Sequence, residues 1–280
     1  MKLSKKAACE IVKNNPAMFY EPMPEEFKKL FPVMTVQTLE KMGWHFTVNH
    51  TGKMIGMTSL STTCKCNAAC QKRIVKSYTD LEIDYTDKKA ARAALKQYIK
   101  DNPLSTDIAI CGFCFSDSQQ DMQETMQQPL AKNYDLLNGG IIHDDWIPVL
   151  NCLWFRGESF GDYASKYAVI NMYNLAKKNR GVNFTTWTKN LVFFGQAAAD
   201  GYTKPDNFKL VFSSMFINKP SKVPAKYTAL VDAVFTVYTE EFAALHNITI
   251  NCGARACLAC LRCYANYKPG VVKHVNELLK

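Results

Sequence analysis

No apolar run in this sequence is long enough to cross a membrane. Segments such as AVF and LVFF stop after three or four residues, against the roughly 20 a spanning helix needs. The early lysines of MKLSKKAACEIVKNN are followed by no apolar core, so this stretch reads as a short amphipathic helix over residues 3–13 rather than as a secretory signal. No segment is depleted of apolar residues, which argues against disorder away from the ends. No dinucleotide-binding glycine fingerprint follows any candidate strand. The C-x3-C-x2-C motif of radical S-adenosylmethionine enzymes is missing too: CNAAC has the first spacing, but the next cysteine comes about forty residues later. Acidic residues are the scarcer charge, 25 against 34 Lys and Arg, leaving a net +9. That excess permits a nucleotide or nucleic-acid partner, although the basic residues are spread out and the densest group, DKKAARAALK, looks like a solvated helix face.

What the sequence does have is cysteine, eleven in 280 residues. With no export signal, the expected compartment is the reducing cytosol, with no membrane association. Disulfides are rare there, so metal or cluster ligation is the better use of so many thiols. Cys9 and Cys152 read as small apolar residues, Cys152 inside a buried strand LNCLWF. The others form two groups. The first is Cys64, Cys66 and Cys70 in CKCNAAC, with Cys111 and Cys114 in CGFC supplying a second couplet. The second is Cys252, Cys257, Cys260 and Cys263, packed into NCGARACLACLRCYA as C-x4-C-x2-C-x2-C. Its last three follow the close repeat of bacterial ferredoxin ligands, which suits an iron–sulfur cubane better than zinc. Paired couplets with a long gap also suit zinc, which stays an alternative at the 64–114 site.

Residues 1–55 read as a helical extension broken by Pro16, Pro22 and Pro24, and 56–280 as one β/α domain carrying both cysteine sites. A helix is expected over 86–101 with Thr86 as its cap, and another from SDSQQ to Gly139 and Gly140. From residue 150, strands (LNCLWF, VNFTTW, FKLVFSS, AVFTVY, ITIN) alternate with helices (YASKYAVINMYNLAKKN, NLVFFGQAAADG). That order predicts an α/β fold with a parallel sheet, a β/α barrel complete or partial, and cysteine-rich loops at the C-terminal strand ends. Arg156, Glu158, Asp162, Lys189, Ser213 and Cys252 all follow strands and are expected to converge on one rim. Within RGESFGD, Glu158 and Asp162 form a candidate acid–base or metal-binding pair, and Arg156 could fix an anion. Lys189 could bind phosphate or carboxylate, and Trp187 could stack on a base. The bland alternative is a structural ion-pair network, with Asp162 capping the next helix.

The segments SLSTTCKCNAAC, CGFCF, KNYDLLNGGII, FRGESFGD, TTWTKN, SSMFINKP, VFTVY and INCGARACLACLRCY occur in one order. That order resembles the bacteriophage "gene product 88" family and its relatives in bacterial mobile elements, over about residues 55–265. The resemblance implies a cytosolic, phage-type protein with metal or cluster sites, and supplies no substrate. It makes Cys64, Cys70, Cys111 and Cys114 the first ligand set and Cys66 the extra, with the helix at 86–101 as an insertion between the couplets. The expectation is therefore an iron–sulfur protein with two [4Fe-4S] clusters and an anion or nucleotide site at the strand ends. The alternative is a nucleic-acid-binding protein whose cysteine sites are structural and which turns nothing over.

Overall fold

A computed structural model describes residues 2–122, 124–253, 256–265 and 271–279. Seven strands form one sheet in sequence order: β1 Phe46–Val48, β2 Thr58–Leu60, β3 Trp154–Gly157, β4 Asn183–Thr188, β5 Phe208–Ser213, β6 Ala233–Tyr238 and β7 Lys273–Leu278. β1 runs antiparallel to β2, and all later neighbours are parallel. The α/β class holds. A closed barrel is not shown, because β1 and β7 share no ladder among the described residues. Their ends still meet: Lys53, in the turn after β1, bonds Glu277 of β7.

The strands alternate between two buried faces. Phe155, Phe184 and Phe208 sit in register across β3, β4 and β5 and pack ring to ring, 5.0 and 6.4 Å between centroids. This row faces the helices. α1 (Lys5–Asn14), α2 (Glu25–Leu30) and α3 (Val36–Lys41) contribute Val12, Phe27 and Leu39 to the same cluster, so the N-terminal helices share the core of the sheet, and β1 begins within residues read as helical. The long link from β2 to β3 carries α4 (Ala68–Thr79), α5 (Lys88–Asp101), α6 (Phe115–Met122) and α7 (Gln127–Gly139). α8 (Lys166–Lys178) and α9 (Val192–Ala199) are the crossovers from β3 to β4 and β4 to β5; Tyr173 of α8 packs on Phe208 of the row, and Phe194 of α9 packs on Tyr173. After β6 come α10 (Glu240–Leu245) and the single turn α11 (Cys257–Cys260). The opposite face of the sheet carries Trp187, Val211, Ala233, Phe235 and Val275, packed against Cys252 and Cys263. No helix among the described residues is long and apolar enough to cross a membrane.

Several local expectations need correction. ITIN forms no strand; Asn251 and Cys252 instead donate their amides to Asn276 O of β7, at 3.1 and 2.9 Å. The last strand is β7, whose polar KHVNEL gives little strand signal. LNCLWF becomes strand only from Trp154, leaving Cys152 half-buried before it. Asp87, not Thr86, caps α5, because its carboxylate accepts from the amides of Lys89 and Ala90, both at 3.0 Å. The helix expected from SDSQQ onward is two, α6 and α7, joined by a 3-10 turn at Glu124–Met126.

Candidate functional sites at two cysteine groups

The first site is built on the loops that leave β2, β3 and β4. After β2 the chain runs through Thr62 and Thr63 to Cys64. Asn67 then caps α4, accepting from Ala69 N and Cys70 N at 3.1 and 3.2 Å, which fixes Cys70 in the first helical turn. Cys111 lies in a 3-10 turn, Ile110–Phe113, and Cys114 follows it. Gly112 between them is a packing requirement: a Cβ there would sit 2.5 Å from Leu95 Cδ2 of α5. Cys64 and Cys114 share a hydrogen bond, and that bond, opposed by burial, pulls Cys114 down to about 6. Cys64 also accepts from Ser116 Oγ at 3.3 Å and Gln120 Nε2 at 3.6 Å. Cys70, pushed up to about 12 by burial, lies in electrostatic range of Cys111 and Cys114. These four thiols thus gather. Cys66 is exposed, and Asp135 is the charged group that bears on it. A bonded cluster of Lys65, Arg92, Asp117 and Asp121 braces α5 and α6 beside the site.

The RGESFGD loop clasps this cysteine loop. Glu158 Oε2 accepts from Thr62 N at 3.1 Å and Thr62 Oγ1 at 2.8 Å. Ser159 Oγ and Ser61 Oγ lie 2.6 Å apart, and Asn67 Nδ2 donates to Asp162 O at 2.8 Å. Asp162 accepts from Thr188 Oγ1 (2.6 Å), Tyr163 N (2.9 Å), Lys189 N (3.1 Å) and Arg73 Nη2 (3.2 Å). Arg73 Nη2 in turn reaches Cys70 Sγ at 3.8 Å. Both carboxylates are buried, Glu158 4% and Asp162 5% exposed. Burial, opposed by the Thr62 bonds, pushes Glu158 up to about 8, which favours its neutral form. Asp162 does not cap α8; Ser165 does. The charge of Lys189 bears on Cys111 and Cys114.

The second site lies on the sheet face opposite the helices. Cys252 is docked on β7. Cys257 N donates to Lys53 O at 2.6 Å and opens α11, which carries Cys260. Leu261 adopts φ 49°, turning the chain into Arg262–Tyr264. Cys263 O accepts from Thr185 Oγ1 of β4 at 3.2 Å, and Tyr264 meets Trp154 edge-on at 5.2 Å. All four cysteines line one cavity of about 30 Å³, with Lys53, Arg156, Trp187 and Tyr264. Lys53 Nζ is 4.0 Å from Cys252 Sγ. The Arg156 guanidinium lies 3.4 Å over the Trp187 ring, and its buried Nε has no hydrogen-bond partner among the described residues. Burial lowers its pKa, opposed by Tyr264, Cys257, Cys263 and Cys252, the neighbours able to turn anionic. Of the two arginines set between these cysteines in sequence, Arg255 and Arg262, which could offset the charge of a thiolate-bound cluster, Arg255 lies outside the described residues.

The expected single rim therefore divides. Glu158, Asp162 and Lys189 belong with the first group, Arg156 and Cys252 with the second, and the Trp187 face proposed for a base carries Arg156. The cause is local. Residues 156 and 158 would share a face on a continuing strand, but Glu158 takes φ 49° and turns its carboxyl toward Thr62. Sequence reasoning overlooked Lys53, whose lysine in a Gly-containing turn gave no signal, and Arg73, one turn after Cys70. Among the described residues, no three His, Cys, Asp or Glu side chains are grouped so as to hold a single metal ion. The chain matches no family profile, no curated protein and no solved structure.

Proposed function

We propose that the protein is an iron–sulfur protein of phage or mobile-element type, with one [4Fe-4S] cluster on Cys64, Cys70, Cys111 and Cys114 and a second on Cys252, Cys257, Cys260 and Cys263. The observation that carries this reading is Arg156. Arg156 is half-buried, its Nε is buried without a hydrogen-bond partner, and it has no acidic partner among the described residues, which is costly; around it four thiols line one cavity. Four thiolates on a cubane carry net negative charge, which Arg156 and Lys53 offset. At the first site Arg73, already ion-paired to Asp162, and Lys189 also bear on the sulfurs.

A cluster suits the arrangement better than a lone ion, because among the described residues no three of these side chains crowd one point. Thiolates around one zinc lie roughly 3.8 Å apart, given Zn–S bonds of about 2.3 Å. On a cubane each thiolate takes its own iron, so the sulfurs line a cavity without crowding one point. Zinc keeps a specific argument at the first site, where Cys64 and Cys114 are already in hydrogen-bond contact. The carboxylates favour a role in positioning over turnover, since protein groups occupy Asp162 and the reactive side of Glu158. Electron transfer is the chemistry such clusters supply. The nucleic-acid alternative rests on the +9 charge alone.

Anaerobic purification followed by visible spectroscopy and iron and sulfide analysis tests this. The expected result is a brown protein with about four irons and four sulfides per site. A colourless protein carrying zinc alone overturns it. Binding to DNA or RNA with a steep salt dependence and no iron would establish the alternative.

A further inference from the structure

The Cys64 sulfur sits in a shell of buried polar groups that cluster ligation does not call on. Ser116 Oγ donates to Cys64 Sγ at 3.3 Å and Gln120 Nε2 at 3.6 Å, and Gln120 Nε2 also donates to Ser116 Oγ at 2.8 Å. Thr63 Oγ1 bonds Gln120 Oε1 and so fixes which way the amide points. Thr63, Ser116 and Gln120 are all buried. Donors converging on a buried sulfur stabilise it when it carries charge. Cys114 Sγ lies in hydrogen-bond contact with the same sulfur. The two thiols differ in access, Cys64 being 1% exposed and Cys114 half-buried. Cys114 also adjoins an apolar surface. Phe115, the next residue and the first of α6, is 62% exposed, and its ring packs on Phe160 of the RGESFGD loop, 5.6 Å between centroids. An aromatic pair left in water beside a thiol is a landing for an apolar segment of another chain.

We propose that Cys114 and Cys64 form a dithiol that reduces a disulfide in a polypeptide docked on Phe115 and Phe160. The proposal concerns the metal-free chain and does not rest on the cluster reading above. Cys114 Sγ, its proton released to water, attacks one substrate sulfur. The substrate S–S bond breaks, and its other sulfur leaves with the electron pair as a thiolate. A mixed disulfide then joins Cys114 to the substrate. The departed thiolate takes the proton of Cys64, whose sulfur, held by Ser116 and Gln120, attacks Cys114 Sγ. The mixed disulfide breaks, and the first substrate sulfur leaves as a thiolate and takes a proton from water. A Cys64–Cys114 disulfide remains. Two electrons have passed from the protein to the substrate, which is the oxidant. While the pair is oxidised, neither sulfur is free to hold iron, so the same thiols serve one use at a time.

The test uses the full chain, stripped of metal by a chelator and reduced anaerobically, with an excess of a leucine-rich peptide closed by one disulfide. About one peptide disulfide should open per chain, and peptide mapping after alkylation should find Cys64 joined to Cys114. Cys64→Ser should stop at the mixed disulfide, seen by mass as a peptide adduct on Cys114. Phe115→Ala should slow the reaction with the peptide about tenfold and leave that with oxidised glutathione unchanged. A disulfide between any other pair, an adduct on the exposed Cys66, or an unreacted peptide would overturn the proposal. The wild-type mapping decides the matter even if a variant fails to fold. Iron uptake by the untreated chain is a separate readout. Full iron with no exchange after stripping overturns the proposal and leaves the cluster reading standing, whereas exchange by a chain that never takes up iron does the reverse.

Discussion

The two cysteine sites use the same four-thiol chemistry but are held in opposite ways. The first draws its thiols from three separate segments, around 64, 70 and 111–114, and is held by hydrogen bonds to the buried Glu158 and Asp162 side chains. The second takes all four from one short stretch laid on the sheet, anchored by backbone bonds to β7, to Lys53 and to Thr185. At the first site the protein supplies the anions Asp162 and Asp117 along with its cations. At the second, Glu277 pairs with Lys53, while Arg156 has a buried Nε without a hydrogen-bond partner among the described residues. A site assembled from distant segments is also a structural rivet, whereas a contiguous one is closer to an appendage.

The strongest way to break this comparison is to remove one ligand from each site. Cys70→Ala and Cys260→Ala should each lose about half the iron, but Cys70→Ala should cost several kcal/mol more stability, because it unpins α4 from the sheet. Equal losses in urea unfolding would erase the distinction. Glu158→Gln comes next. The Glu158 carboxyl, raised by burial from 4.5 to about 8, binds its proton more tightly folded than unfolded. Its contribution is complete below about pH 4.5 and disappears as pH rises through about 8. Gln retains the acceptor for Thr62 without that titration. Between pH 5 and 9 the wild type should lose about 4 kcal/mol relative to the variant, as read by urea unfolding at each pH. Parallel curves would show that Glu158 is ionised in the folded protein.

Arg156→Met should lower iron retention at the second site about tenfold against a chelator and leave the first unchanged. An equal effect on both sites would mean that Arg156 acts through the fold rather than on its neighbouring thiols. The smallest effect is expected at Cys66→Ser. The side chain is exposed and apart from the group, so iron content should hold and stability should shift by less than about 0.5 kcal/mol.

The contrast also explains what could be read in advance. The gathering of Cys252, Cys257, Cys260 and Cys263 was legible because they are neighbours in sequence. The strands VNFTTW, FKLVFSS and AVFTVY were legible because buried parallel strands are continuous apolar runs. β7 was not, since KHVNEL is polar and earns its place by pairing with β6. The division of the rim was hidden by one residue. A glutamate at positive φ is disfavoured by its own side chain, so nothing in RGESFGD announced that the strand would stop at Gly157 and send Glu158 to Thr62. The glycine of CGFC signalled a turn, but its reason, the approach of Leu95 from a helix more than ten residues earlier, exists only in three dimensions.

The contact between Lys53 and Glu277 has a consequence for biogenesis. Every ligand of the first site has been synthesised by residue 114, but the second cavity needs the turn after β1 to meet the final strand. Translation at roughly 5–20 residues per second separates those moments by about ten seconds or more. If both groups hold clusters, synthesis orders their maturation. A ribosome stalled before residue 273 would present a chain with its first set of thiols complete and its second without a wall to close on, and a pulse-labelled nascent chain should take up iron in that order.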